Sequence, residues 1–197
     1  MSHYYLNDEA LEERNFSFDY TFLGYRVIFK SNSGVFSKKR VDFGTHVLLK
    51  NLPVFTKEKI LDMGCGLGVI GLLIGKAYPT TVIDLVDINK RALELANISA
   101  KINNINNVHF IESNLYNNVT NKYNVIISNP PIRAGKKVVY SIFEDGFNYL
   151  EKKGIIYTVI QKKQGAESLI KKMEEIYNNV VIVAKEKGYY VLSSQKE

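Results

Sequence analysis

Residues 59–78 read KILDMGCGLGVIGLLIGKAY. A short apolar run (59–63) meets a glycine-rich bend and continues as an apolar stretch of helical length (68–78). This is a strand that turns through glycines into a helix, and the chain beyond it repeats the alternation. TVIDLVD (81–87) reads as a strand and NKRALELANISAKIN (89–103) as an amphipathic helix. VHFIE (108–112) and YNVIIS (123–128) read as strands, 137–150 as a helix closed by Gly154, IIYTVI (155–160) as a strand and GAESLIKKMEEIY (165–177) as a helix. The tail VVIVAKEKGYYVLSS holds two strands around a charged turn at Gly188. Such alternation implies an α/β fold: a doubly wound, Rossmann-like, mostly parallel sheet with helices on both faces. The last two strands add an antiparallel C-terminal hairpin to it.

Upstream of this core the pattern differs. YTFLGYRVIFKSNSGVFS (20–37) is rich in aromatic and β-branched residues, and SNSG near its middle is a turn signal, so an N-terminal β-hairpin is expected. Thr45 is placed as the N-cap of a short apolar helix, HVLLKNL, stopped by Pro53. The chain then divides into a polar segment (1–19), a hairpin extension (20–44) and a core (45–197), all within one domain.

The composition narrows the function classes. The chain has 197 residues, 46% of them hydrophobic, enough for one sizeable core. It contains no run of about 18 apolar residues, so no membrane span is expected. The first residues, MSHYYLNDEALEER, show no apolar signal-peptide core. A single cysteine, Cys65, excludes an intrachain disulfide and is consistent with a reducing, cytoplasmic location. The net charge of +6, from 26 Lys and Arg against 20 Asp and Glu, leaves room for a polyanionic partner such as RNA. No metal-ligand spacing is present.

Ligands of doubly wound sheets sit at the carboxyl ends of the strands. The glycine bend lies at such an end and can be parsed in two registers. Gly66, Gly68 and Gly71 spell G-x-G-x-x-G, the dinucleotide fingerprint. Asp62, Gly64, Gly66 and Gly68 spell D-x-G-x-G-x-G, the S-adenosylmethionine-binding pattern of class I methyltransferases. The acid favours the second register, because it orients the loop and suits a cationic methionine amine, whereas it would repel a pyrophosphate. Asp87, with Ile88 beside it, ends the next strand 19 residues beyond Gly68, where a carboxylate can accept the ribose hydroxyls of either cofactor. Its other expected role is capping the helix that begins near Asn89. Asn114, at the end of the third strand in IESNLY, is placed to meet the adenine amino group.

The fourth strand runs into Ser128-Asn129-Pro130-Pro131-Ile132. Pro130 keeps Asn129 out of helical dihedrals, and the two prolines stiffen the turn. The Asn129 side chain and the Pro130 carbonyl then form a pair of acceptors suited to one planar –NH2 group. Its nitrogen lone pair is conjugated and must be drawn out of plane to attack a methyl group. A sulfonium is already a strong electrophile, so positioning can supply most of the acceleration, about 7–11 kcal/mol in favourable cases.

DMGCGLG, VDIN and SNPPIRAGK, in this order, resemble the class I S-adenosylmethionine-dependent methyltransferases that modify amino groups. The upstream SGVFSKKRVDFGTHVLL narrows the resemblance, over about residues 25–193, to the 16S rRNA guanine-N2 methyltransferase family, especially its short single-domain members. It implies a seven-stranded sheet, S-adenosylmethionine as methyl donor and an RNA guanine amine as acceptor. It assigns Asn129, Pro130, Pro131 and Ile132 to the catalytic turn, Gly64, Gly66 and Gly68 to the cofactor loop, and Asp87 to the ribose. Two features depart from the family pattern. Ile132 stands where an aromatic usually stacks on the target base, and the extra N-terminal domain of the longer members is not seen.

Lys38, Lys39 and Arg40 before the hairpin's end, with Arg133 and Lys136 after the prolines, are candidate phosphate contacts on ribosomal RNA or a ribosomal subunit. Three other readings compete. One is a glutamine-amide methyltransferase, which uses a similar turn. The second is a nicotinamide-dependent oxidoreductase, which has no use for Asn129-Pro-Pro. The third is a non-catalytic RNA-binding module.

Overall fold

The computed structural model describes residues 15–32 and 40–197. β1 (Asn15–Phe22) and β2 (Tyr25–Asn32) pair antiparallel from Asn15↔Asn32 to Phe22↔Tyr25. The hairpin therefore turns at Leu23-Gly24, not at SNSG, and its first strand begins inside the segment expected to be merely polar. Both turn residues have positive φ, 49° and 83°, the geometry of a two-residue type I′ turn whose twist matches the strands. Leu is a poor residue for that conformation, so the local signal was weak. Cross-strand packing overrides it: Phe18 lies opposite Phe29 with ring centroids 5.1 Å apart. Leu23 is 61% exposed and buries little. Leu23→Asn is accordingly expected to stabilise the protein by about 0.5–1 kcal/mol in urea unfolding.

The hairpin is bound to the core through its backbone. The Ile28 amide donates to Asn103 Oδ1, the Ile28 carbonyl accepts from Asn103 Nδ2, and the Lys30 amide donates to Ser99 Oγ, at 2.7–2.9 Å. A side chain of one helix and that of the residue capping its C-terminus thus cover the open edge of β2. His46 adds a second tie, its Nδ1 lying 2.5 Å from the Tyr20 hydroxyl.

α1 (Phe43–Lys50) starts three residues earlier than expected, because Asp42 rather than Thr45 caps it, accepting from the Thr45 amide. β3 (Lys59–Met63), α2 (Val69–Ala77), β4 (Val82–Asp87), α3 (Lys90–Ile102), β5 (Val108–Glu112), β6 (Tyr123–Ser128) and α4 (Lys136–Tyr149) follow the expected alternation. β7 (Leu150–Gln161) begins five residues before the expected start at 155. Gly154 is inside it rather than beyond the helix. A Cβ there would sit 2.9 Å from the Glu151 carbonyl, so the irregular start of the strand requires glycine. α5 (Ala166–Tyr177), β8 (Val181–Glu186) and β9 (Tyr189–Gln195) complete the chain.

The seven strands of the main sheet stand in the order β5-β4-β3-β6-β7-β9-β8. All neighbours are parallel except β9, which runs antiparallel to both β7 and β8. One face buries Ile60, Leu85, Ile127 and Val159 together with the apolar residues of α1 and α2. The other buries Leu61, Ile126, Ile156 and Leu192 against Phe143 of α4 and Met173 of α5. The winding reverses between β3 and β6. Their carboxyl ends carry the glycine bend and the proline turn, so the topology itself brings the two segments together. No described helix is long and apolar enough to cross a membrane.

Candidate active site

The bend after β3 is held in shape by its neighbour β4. The Gly64 and Cys65 amides both donate to the Val86 carbonyl, at 2.8 and 3.0 Å. Gly64, Gly66 and Gly68 all adopt positive φ, between 54° and 72°. Their surroundings differ. A Cβ on Gly68 would lie 2.7 Å from Leu85 Cδ2, so this glycine lets α2 pack on β4. A Cβ on Gly66 would meet nothing within 4 Å, and one on Gly64 only Pro131 Cδ at 3.9 Å. These two glycines leave an open backbone cradle facing the proline turn, which suits close approach of a nucleoside-bearing ligand.

Two carboxylates brace the cradle. Asp87 Oδ2 accepts from the Gly66 amide at 2.7 Å and Oδ1 from the Asn89 amide at 2.8 Å. The helix cap falls to Asn89, whose own Oδ1 accepts from the Ala92 amide, so Asp87 is not the cap. Burial raises the Asp87 carboxyl despite these backbone donors. Asp62 is buried beneath the loop. Its Oδ2 accepts from the Gly71 amide at 2.9 Å, and its Oδ1 has no partner. Burial, offset in part by the Gly71 bond and reinforced by Asp87, pushes the Asp62 carboxyl up to about 7. Cys65 is raised well above the usual thiol range by burial, Asp62 and Asp87, which makes it a poor nucleophile.

The Asp62 shift has a definite sign. A carboxyl raised in the folded state binds its proton more tightly there than in the unfolded chain. The contribution of Asp62 to stability therefore falls as pH rises from about 4 to about 7 and levels off above that. Asp62→Asn retains an oxygen for the Gly71 amide and removes the titration. Between pH 4 and 8, the stability of the ligand-free variant relative to wild type should shift in the variant's favour by about 2–4 kcal/mol, read by urea unfolding.

The proline turn is pinned to the same place. Ser128, fully buried at the end of β6, donates to the Met63 carbonyl at 2.8 Å, tying the residue before Asn129 to the residue before Gly64. Asn129 is half-buried. Its Nδ2 donates to Thr45 Oγ1 at 2.9 Å and faces both Asp42 oxygens at 3.2 and 3.3 Å. A carboxylate can only accept, so the amide nitrogen must point at Asp42, leaving the carbonyl oxygen Oδ1 on the opposite side. The Thr45 hydroxyl in turn donates to Asp42 Oδ2 at 2.6 Å. Gly44 makes the arrangement possible, because a Cβ there would lie 3.0 Å from the Tyr189 ring and 3.1 Å from Asp42 Oδ1. The Pro131 carbonyl accepts from the Ala134 amide; among the described residues the Pro130 carbonyl accepts no backbone hydrogen bond.

The remaining candidates are dispersed around this centre. Ile88 is 42% exposed and Asn114 is exposed, each just past the strand that carries it, β4 and β5, at the cleft edge of the sheet. Ile132 is half-buried in the single 3-10 turn (Ile132–Ala134) after the prolines. Arg133 and Lys136 are exposed on that turn and on the start of α4. Arg40 is exposed just before Asp42, whereas Lys38 and Lys39 lie outside the described residues. Among the described residues no group of His, Cys, Asp and Glu could hold a metal. Asp42, Thr45 and Ser128 were not singled out from the sequence as site residues. For Asp42 and Thr45 the one sequence signal is the D-x-G-T string at 42–45, and for Ser128 the SNPP string; both carry the family resemblance but assign these residues no role.

The strand order, the glycine cradle and the buttressed asparagine before two prolines define a class, the Rossmann-like methyltransferases that use S-adenosylmethionine. Residues 26–193 match the methyltransferase small domain family, and the chain belongs to it. YbxB of Bacillus subtilis is 42% identical over 197 residues, covering 98% of both chains. The ribosomal RNA small subunit methyltransferase C of Psychromonas ingrahamii is 37% identical over 164 residues, 81% of this chain and 46% of that protein. A solved T. thermophilus 16S rRNA N2 methyltransferase, in complex with AdoMet and guanosine, shares the fold with a TM-score of 0.84. That match covers 93% of this chain and 51% of the other, at 20% identity. The chain spans about half the length of these rRNA methyltransferases.

Proposed function

We propose that this protein transfers a methyl group from S-adenosylmethionine to an exocyclic amine of ribosomal RNA, namely guanine N2, in the cytoplasm. The observation that carries the reading is the fixed orientation of Asn129. Its amide nitrogen is anchored on Asp42 and Thr45, which supports a role for the carbonyl oxygen, turned away from them, as the acceptor. The Pro130 carbonyl supplies a second acceptor from the same rigid turn. Two acceptors on one –NH2 draw its protons away from the base plane and turn the nitrogen lone pair toward the incoming methyl.

The open backbone at Gly64 and Gly66 fits the cofactor, and Asp87 would accept from its ribose hydroxyls with the lone pairs that the loop amides leave free. Ile88 and Asn114 would flank the adenine. Asp62 would act through the loop that it holds. When bound, the cofactor supplies an electrophilic methyl on sulfur. The amine held by Asn129 and Pro130 would take that methyl as the carbon–sulfur bond is given up, and the extra amine proton would pass to water. Pro131 and Ile132 would form an aliphatic wall for the base, with Lys38, Lys39, Arg40, Arg133 and Lys136 on flanking phosphates. Because the amine of a paired guanine lies inside the helix, the base must be unpaired or extruded to react. The test is mass-spectrometric mapping of rRNA from cells with and without the protein. One methylated guanosine lost on deletion supports the reading; an unchanged modification pattern overturns it.

A further inference from the structure

A second feature lies along the same edge of the sheet. β7 ends in Gln161, and the chain continues through Lys162 and Lys163 in a single 3-10 turn before α5 begins. Between this turn, α5 and the β8–β9 turn runs a groove of about 550 Å³, lined by Gln161, Lys162, Lys163, Glu167, Ser168 and Gly188. That volume lies within the range of about 300–1,000 Å³ typical of ligand sites and accommodates a nucleotide unit. Its base is rigid: the Lys162 amide donates to the Gly188 carbonyl at 2.7 Å, and the Gly165 amide to the Lys162 carbonyl at 3.3 Å. Lys162 and Lys163 are exposed, and among the described residues neither forms an ion pair.

Two contacts relate the groove to the surroundings of the proposed active site. A smaller cavity lined by Ile132, Lys136 and Tyr140 shares Ser168 with it, joining it to the turn that follows the catalytic prolines. On the other side, Lys187 precedes Gly188 and places its ammonium 5.2 Å from the centre of the Phe43 ring. Phe43 follows Asp42, which holds Asn129. The cations of the groove follow the carboxyl end of β7, the strand beside the one that ends in the acceptor turn, on a protein of net charge +6.

We propose that this groove holds backbone phosphates of the RNA strand flanking the nucleotide that is methylated, with Lys162 and Lys163 as the phosphate contacts. The inference rests on the RNA reading above and adds a subsite to it. Lysine is a mobile point charge with no preferred planar partner, so it tracks a phosphodiester chain without reading its sequence. Glu167 is the one carboxylate in the lining and opposes binding.

The test uses the full chain and a fluorescein-labelled single-stranded RNA of about 12 nucleotides, titrated by anisotropy across a salt series. The double variant Lys162→Ala, Lys163→Ala should bind about tenfold more weakly at about 0.1 M salt. The slope of log affinity against log salt should flatten by about 1.4, two contacts at about 0.7 each. Glu167→Gln should bind about two- to threefold more tightly. With rRNA as methyl acceptor, the double variant should raise KM in proportion and change kcat less than twofold, with S-adenosylhomocysteine affinity unaltered. Wild-type affinity and salt slope in the double variant would overturn the groove while leaving the methyltransferase reading intact. A loss of S-adenosylhomocysteine binding would overturn it too, by showing a structural role. If wild-type protein transfers no methyl to rRNA and binds no RNA, both readings fall.

Discussion

Asn129→Ala is expected to lower methyl transfer to rRNA by about 10²–10³-fold, the usual cost of removing one preorganised polar group at a reacting centre. S-adenosylhomocysteine affinity should change less than threefold, because no atom of the Asn129 side chain supports the glycine loop. That loop is held instead by the Val86 carbonyl, Asp87 and Asp62. The two effects are separable by single-turnover kinetics and calorimetry on the same preparation. Transfer at a near wild-type rate would remove Asn129 from the chemistry. Weakened cofactor binding with transfer otherwise normal would move it to the cofactor side of the cleft.

Asp42→Asn addresses the orientation rather than the acceptor itself. The substituted residue remains a good helix N-cap, since Asn and Asp rank equally there, so unfolding stability should stay within about 0.5 kcal/mol. An amide at 42 can donate as well as accept. The constraint that turns the Asn129 nitrogen inward is then lost, and the flipped amide would present donors to an amine that needs acceptors. The expected result is a fall in kcat of about 10–100-fold, with KM for rRNA and the melting temperature little changed. A destabilised protein with proportionate loss of activity would mean that Asp42 acts only as a cap. Thr45→Val is the milder companion, since it removes one of the oxygens that receive the Asn129 amide and leaves the carboxylate.

The position of Asp42 explains why part of the site could be read in the sequence and part could not. The glycine bend, Asp87 and the proline turn each sit within a few residues of a strand end. Strand ends are set by local apolar runs and by residues that break them, and a doubly wound order then carries all of them to one edge. The Asp42–Asn129 contact joins positions 87 residues apart, and the Ser128–Met63 bond positions 65 apart. No periodicity in the chain signals either. Each exists because β6 lies beside β3 and α1 packs on one face of the sheet.

The hairpin illustrates the same division in the other direction. Residues 20–37 carried a clear strand composition, yet the local turn signal SNSG lost to Leu23-Gly24. The winning register places Phe18 against Phe29 and the β2 edge against Ser99 of α3 and Asn103 at that helix's C-terminal cap. Backbone edge groups and aromatic faces had to find partners that only the assembled core provides. At β7 the approach of the Tyr123 carbonyl of β6, beside that of Glu151 in the same strand, makes Gly154 a position of close backbone approach instead of a helix stop.

What the sequence determined by itself was the alternation of strands and helices, the glycine loop and the two prolines, because each depends on dihedral preferences and apolar spacing within a short span. Only the tertiary structure decided which way the Asn129 amide faces, where the hairpin turns and which lysines share a groove. Those outcomes depend on hydrogen-bond partners and surfaces supplied by residues far away in the chain.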